Sequence, residues 1–421
     1  VAALAGLSAL AHFNRTSMSV AGNLLIEAET LSQQQMGLVY STLLLVYTLC
    51  MTPGGWLTDL IGGRRTIALV GLGSAVLCVA TGGAGWWSRS AAVLFASLLV
   101  VRAVFGAFNA PFYPAAGKVV SQWVPLEHRA LANALITAAF PVGVALAYPL
   151  FGGLCGLFGW QAAFLVAGVA TAAAAAAWLR VGQDEPPAVR PTSPLVRAAL
   201  HQVASEAEKR QVNWRGLVRN RSLWLLAVSY STVGYVEYLL IYWLERYLKQ
   251  VMHYSTTQSR LASMIPMLCM AACMPLGGWM SDRLMPALGY RRARAAVALL
   301  GMCGCAGCLF ASTFALSAGY SVAAFAAALA AIGVAEAPAW ATAVDLGGKD
   351  GATSAAVVNT GGNGGGVISP SLSPWLVGVL QPLVGEAGGW AWALRLGSLV
   401  CLLGGLLWLW IDASERAPAS G

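Results

Sequence analysis

Apolar residues recur along the whole chain in runs of about 20, each long enough to cross roughly 30 Å of hydrocarbon as a helix. Such runs begin near Ala2, Gln34, Thr66, Ala91, Arg129, Trp160, Leu223, Thr257, Ala293, Ala318, Thr353 and Gly389. The longest polar stretch, about Gly182 to Arg221, separates the sixth run from the seventh. The pattern predicts an all-α membrane protein with twelve transmembrane helices in two pseudo-symmetric six-helix halves, residues 1–181 and 222–421, with a linker over 182–221. Within the linker, Leu195, Val196, Ala199, Leu200 and Val203 follow helical spacing with charges on the opposite face. That arrangement predicts a helix lying on the membrane surface, where its basic residues meet anionic headgroups. The first run is too long and too polar at its centre for a cleaved signal peptide.

Composition supports this reading: 58% of the 421 residues are hydrophobic and 10% are charged, against about a quarter charged in soluble domains. The net charge of +8 would suit nucleic acid, but its distribution reports orientation instead. With both termini in the cytoplasm, 18 of the 25 Lys and Arg fall on that side, among them Arg64, Arg65, Lys118, Arg129 and the linker cluster. Arg89, Arg246, Lys249 and Arg260 fall outside, and Arg15, Arg102 and Arg395 fall within helices. This is the positive-inside asymmetry, and no nucleic-acid partner is expected. Nine cysteines lie almost wholly in apolar runs; Cys303, Cys305 and Cys308 lack neighbouring His or carboxylates, so neither a metal site nor a disulfide framework is expected. HExxH, P-loop and GxSxG patterns in suitable contexts are missing, which argues against an enzyme and against ATP as energy source.

The chain repeats itself. "PGGWLTDLIGGRRT" from Pro53 matches "PLGGWMSDRLMPALGYRRAR" from Pro275, with Gly54 and Gly277 offset by 223 residues. "GAFNAPFYPA" from Gly106 matches "GVAEAPAWAT" from Gly333 at 227, and "GWQAAF" from Gly159 matches "GWAWAL" from Gly389 at 230. Duplication of a six-helix unit is the simplest account, and it places a substrate site between the halves near the midplane.

These residues resemble the major facilitator superfamily. "GWLTDLIGGRR", Gly55 to Arg65, is similar to that family's loop between the second and third helices, with Leu60 where Arg is usual and Gly63 where a basic residue is common. The resemblance implies a gating motif of Gly55, Asp59 and Arg64, echoed by Asp282, whose charges latch the halves on the cytoplasmic side. A narrower likeness is carried by "NR" at Asn14, Tyr47, "RAVFGAFNAPFYPA", "WRGLVRNRSLW" and "NTGGNGGGVISP". Together they resemble the anion:cation symporters, which include sugar-acid transporters and the sialin and vesicular glutamate transporter group. In that family the first-helix motif reads Asp-Arg and the fourth carries Glu-Ala-Pro; the arginines bind the organic anion and the acids take up protons. Arg15, Arg102 and Tyr47 match, whereas Asn14 and Asn109 stand where the two acids would be.

An arginine at a bilayer centre costs roughly 2.5–3.5 kcal/mol on insertion scales, so Arg15 in "LAHFNRTSMSV" is read as functional, one half of an anion clamp with Arg102. In the repeat, Glu336 occupies the place of Asn109 and Glu237 the place of Asn14. Buried acids there are candidates for proton coupling, for charge balance with the arginines, or for local hydrogen bonding. Asn363 in the glycine-rich eleventh run either contacts substrate or serves helix packing. Tyr230, Tyr235 and Tyr238 offer hydroxyls or pack. His12, one turn from Arg15, reads as a satisfied cavity histidine.

The expected site is therefore Arg15, Tyr47, Arg102, Asn109 and Asn363 for substrate, with Glu336 and Glu237 for the proton. The expected function is secondary active transport of a small organic anion, a sugar acid or similar carboxylate, by alternating access and proton symport. Uncoupled uniport or anion exchange stays open because Asn14 and Asn109 cannot titrate, and an anion-binding membrane sensor is the alternative of another class. No cofactor is expected. The chain is expected to act as a monomer, multi-pass in a bacterial inner membrane.

Overall fold

The computed structural model describes residues 1–125, 128–183, 213–314 and 317–412. The surface helix expected in the linker lies outside the described residues. Only the linker's end is described, where Asn213 caps a short helix, Trp214–Arg219.

Among the described residues, nine helices are long and apolar enough to cross a bilayer. Two of them, Leu131–Val181 with 51 residues and Gly351–Leu409 with 59, exceed twice the length a bilayer needs at 1.5 Å per residue. Each is broken by a glycine with positive φ, Gly159 (φ 79°, ψ 159°) and Gly385 (φ 74°, ψ 173°), a backbone region that side chains with a Cβ avoid. Each therefore supplies two spans. The first helix, Ala2–Glu27, falls short of the same mean hydropathy because His12, Asn14 and Arg15 sit at its centre, and it completes the twelve.

The remaining spans are the second, Gln33–Ile61; the third, Gly63–Trp87; and the fourth, Ala91–Asn109, continued past Pro111 by Phe112–Trp123. The fifth begins at Arg129–Leu146 and runs through a π turn, Ala147–Phe151, to the break at Gly159. In the second half the seventh to tenth are Arg221–Gln250, Thr256–Leu288, Tyr290–Ser312 and Ala318–Gly347. The eleventh and twelfth are the two arms of Gly351–Leu406.

The repeat is visible in the caps. Ser32 with Gln35 and Ser255 with Gln258 form reciprocal capping boxes at the starts of the second and eighth spans, satisfying otherwise orphaned backbone N–H groups. These boxes share the 223 offset of Gly54 and Gly277. The same spans end at Gly62 (φ 87°) and Gly289 (φ 76°), offset by 227 because the eighth span has 33 residues against 29 in the second, one extra helical turn. The third sequence echo needs correction: the counterpart of Gly159 is Gly385, which makes the turn, whereas Gly389 stays helical and buried.

Small residues let spans approach where lipid supplies no hydrophobic drive between helices. The glycines of the eleventh span meet the seventh: a Cβ on Gly365 would overlap the Ser231 carbonyl oxygen, and one on Gly361 would overlap that of Ala227. Their side-chain-free surface is a packing device. Replacing Gly365 by Val should cost about 1–3 kcal/mol of overpacking or more, read as a lower melting temperature in detergent. An unchanged melting temperature would refute this close approach.

Exposed tryptophans cluster toward span ends, as with Trp56, Trp86, Trp87, Trp224, Trp279 and Trp410, where amphipathic rings anchor at the headgroup level. Trp243 and Trp390 instead pack on each other in the interior, ring centroids 5.6 Å apart.

The halves touch at one end. Tyr40 of the second span stacks on Tyr242 of the seventh at 4.3 Å and 11°, and the Tyr148 hydroxyl donates to the Ile241 carbonyl at 2.7 Å. Ser41 donates to the Val367 carbonyl at 2.6 Å. At the outer rim Lys249 pairs with Glu27 at 2.7 Å. Arg260 pairs with the buried Glu245 at 3.2 Å and reaches across to the Gly152 carbonyl at 2.7 Å. The opposite ends of these spans, around Asp59 and Asp282, are joined by none of these contacts. These contacts gather the two halves at the Glu27 end of the spans.

Candidate functional site between the halves

Arg15 lies at the middle of the first span, 5% exposed. Its guanidinium sits over the Tyr47 ring, 4.5 Å from the centroid, and over Tyr238 at 5.9 Å, and Nη2 donates to the Tyr238 hydroxyl at 3.1 Å. Tyr238 in turn donates to Asn363 Oδ1 at 3.5 Å, and Asn363 Nδ2 donates to the Asn359 carbonyl at 2.9 Å. Asn363 also touches Met51 of the second span. The first, second, seventh and eleventh spans thus converge on one guanidinium. Tyr113, beyond the Pro111 kink, and His12 are within its electrostatic reach. Among the described residues no carboxylate pairs with it. The cation is held by π faces and hydroxyls, which leaves its forked donors open to an anion.

Arg102 is not beside it. It is 1% exposed, its guanidinium lying 5.2 Å from the Phe105 ring and 5.1 Å from that of Phe164. Nη1 donates to the Asn14 carbonyl at 3.5 Å, and Nε and Nη2 have no partner among the described residues. Asn14 and Asn109 are likewise sealed inside the first half. Asn14 donates to Thr171 Oγ1 at 2.8 Å; Asn109 donates to Ser74 Oγ at 3.2 Å and to the Phe105 carbonyl at 2.9 Å. In this conformation Asn109 is an interior helix-to-helix bond.

Across from Arg15, Glu336 is 4% exposed. Its Oε2 accepts from the Tyr230 hydroxyl at 2.9 Å and from Trp340 Nε1 at 2.9 Å, while Oε1 has no partner among the described residues. Glu237, 8% exposed, leaves its Oε1 unpartnered as well, and it lies within electrostatic reach of Glu336 and of Cys305 in the ninth span. Two buried carboxyl groups thus lie within electrostatic reach of each other in the second half, at the repeat positions where the first half has amides.

The residues expected to gate lie at the ends of the spans opposite Glu27. Asp59, with 79% of its side chain exposed, pairs with Lys118 of its own half at 3.2 Å. Gly55 is half-buried with open space beside its Cα, and Asp282 is exposed. Arg64 donates to the Leu179 carbonyl, and its own carbonyl accepts from Trp178 Nε1 at 3.0 Å. In the second half the tight pair is Arg294 with Asp345 at 2.7 Å.

Sequence reading missed the rim at the Glu27 end and did not single out Tyr113. The rim had a signal: three of the four cations assigned to the outside, Arg246, Lys249 and Arg260, belong to it.

Two six-helix halves joined around a buried cation have the architecture of a membrane transporter. The chain belongs to the Major Facilitator Superfamily, whose family description matches residues 4–370. It is 27% identical over 372 residues to the probable sulfoacetate transporter of Cupriavidus necator, covering 87% of this chain and 84% of that one. It is also 27% identical over 289 residues to the probable galactarate/D-glucarate transporter of Bacillus subtilis, covering 66% of this chain and 63% of that one. In fold it is similar to a bacterial homologue of the human lysosomal transporter Spinster, crystallised in an inward-facing and occupied conformation, with a TM-score of 0.77, 16% identity and 99% and 98% coverage.

Proposed function

We propose that this transporter carries a small organic anion, a sugar acid or a similar carboxylate, by proton-coupled symport. The observation that supports this most is Arg15, a buried guanidinium that joins both halves and has tyrosine hydroxyls and ring faces for neighbours instead of a carboxylate. An arriving acid group would complete its shell in a dry site, where a charge-assisted fork is strong. Tyr47, Tyr238 and Asn363 line the same point, and Arg102 adds its charge from behind without contact.

The coupling proton resides on the Glu336 and Glu237 pair. Two neighbouring carboxylates in a dry interior cannot both ionise without a cation between them, so the pair holds a proton that it can exchange when the cavity opens. Asn14 and Asn109 offer no such group. On this reading the Asp59 end and both termini face the cytoplasm of a bacterial inner membrane, an orientation that the positive-inside distribution supports. Asp59, Arg64 and Asp282 latch that end when the halves rock the other way. The unit of transport is the monomer, with the bilayer as its only other partner.

The test is uptake into proteoliposomes of sugar acids, other carboxylates and sulfonates, with and without an imposed proton gradient. Accumulation of an acid above equilibration should require the gradient. Uptake indifferent to the gradient would sink symport and favour uniport or exchange, and uptake of neutral sugars alone would sink the anion reading.

A further inference from the structure

We propose that His12 sets specificity at this site by accepting a hydrogen bond from a substrate hydroxyl, so that the preferred anion carries a hydroxyl next to its acid group. The inference rests on the anion reading above and deepens it.

His12 precedes Arg15 by three residues and so shares its helix face. Its Nδ1 lies 2.9 Å from the Ser8 backbone carbonyl. A carbonyl only accepts, so the hydrogen is on Nδ1, and in the neutral ring Nε2 keeps its lone pair. Among the described residues nothing hydrogen-bonds Nε2. The ring cannot readily turn away: Phe140 of the fifth span packs on it with centroids 4.6 Å apart, and Tyr113 stands at 5.9 Å. Tyr113 is itself tied back to Ser8, hydroxyl to hydroxyl, at 3.3 Å. One turn of the first span therefore offers a fork of donors and a single fixed acceptor.

The two groups ask for different things. A bare carboxylate or sulfonate brings only acceptors; it satisfies Arg15 and sets its remaining lone pairs against that of Nε2. A hydroxy acid brings an acceptor pair for Arg15 and a donor for His12. The tyrosine hydroxyls around them donate or accept as needed, so they do not discriminate. A site built to bond a substrate hydroxyl penalises the analogue that lacks it, because its own polar group is left unpaired.

The experiment measures binding by tryptophan fluorescence on the purified full chain for two pairs that differ only in the hydroxyl next to the acid group, glycerate with 3-hydroxypropionate and gluconate with 2-deoxygluconate. Wild type should favour the member with that hydroxyl by about 10- to 100-fold. His12→Ala should bring the ratio to within about twofold by weakening that member, while the other is nearly unchanged. His12→Gln, whose side-chain oxygen also accepts, should recover part of the preference and guards against a folding defect. An unchanged ratio in His12→Ala overturns the inference. So does calorimetry in buffers of different ionisation enthalpy that finds proton uptake with 3-hydroxypropionate lost in His12→Gln, which would make Nε2 a proton acceptor. Failure of the anion reading looks different: Arg15→Ala would then leave glycerate and gluconate binding unchanged.

Discussion

Arg15→Ala is expected to abolish anion binding and leave a folded protein. Losing two charge-assisted hydrogen bonds costs roughly 3–6 kcal/mol, about two to four orders of magnitude in affinity. Few variants of a buried charge separate function from folding so cleanly. Among the described residues the guanidinium has no carboxylate partner that its removal would strand, and taking an arginine out of a bilayer-spanning helix relieves a cost instead of imposing one. The melting temperature should hold or rise while substrate-induced fluorescence change and uptake vanish. Arg15→Lys should fall between, since an ammonium keeps the charge but not the planar fork or its seat on the Tyr47 face. Full transport by Arg15→Ala would refute the clamp.

Much of the fold was legible because the bilayer constrains it so strongly. A run of about 20 apolar residues has one solution, and twelve of them with a midpoint linker leave little choice. The corners were less legible. Gly159 turns the chain just before the run read from Trp160, whereas Gly385 turns it four residues ahead of the run read from Gly389. A Gly-Trp dipeptide after the second corner draws the eye to Gly389, one turn too late. The capping boxes at Ser32 and Ser255 were readable as Ser-x-x-Gln, and they carry the repeat better than the third echo does.

The site divides along a different line. Intramembrane charge is expensive, so Arg15, Glu237 and Glu336 declare themselves from sequence. What spacing cannot convey is the rotation of each helix about its axis. Arg102 reads as a partner to Arg15, yet the fourth span turns it toward Phe164 of the sixth and the Asn14 carbonyl, one layer behind the cavity. The same rotation makes Asn109 a bond to Ser74 of the third span. Tyr113 joins Arg15 only because the chain bends past Pro111. His12 looked satisfied, and at Nδ1 it is; the consequence lies in the nitrogen that the Ser8 bond leaves free.

Glu336→Gln should uncouple transport from the proton gradient without stopping exchange. The amide oxygen of the substituted side chain can accept from Tyr230 and Trp340 as Glu336 Oε2 does, so the aromatic seat survives and the titratable group is gone. Proteoliposomes bearing this variant should lose nearly all gradient-driven accumulation, a fall of at least about tenfold, while counterflow of labelled for unlabelled substrate stays within about twofold of wild type; both figures follow from treating the proton as the sole driving ion and the anion contacts as intact. Glu237→Gln should act in the same direction, because removing either member releases the other from like-charge repulsion and ends the shared proton. If accumulation by both variants still tracks the gradient, the proton travels elsewhere and the second-half carboxyl groups are structural. If wild type itself ignores the gradient, the amides at Asn14 and Asn109 mark an exchanger or uniporter. The Glu336 and Glu237 pair then balances the charge of Arg15, with Arg102 behind it, and neutralising the pair should tighten anion retention and leave coupling untouched.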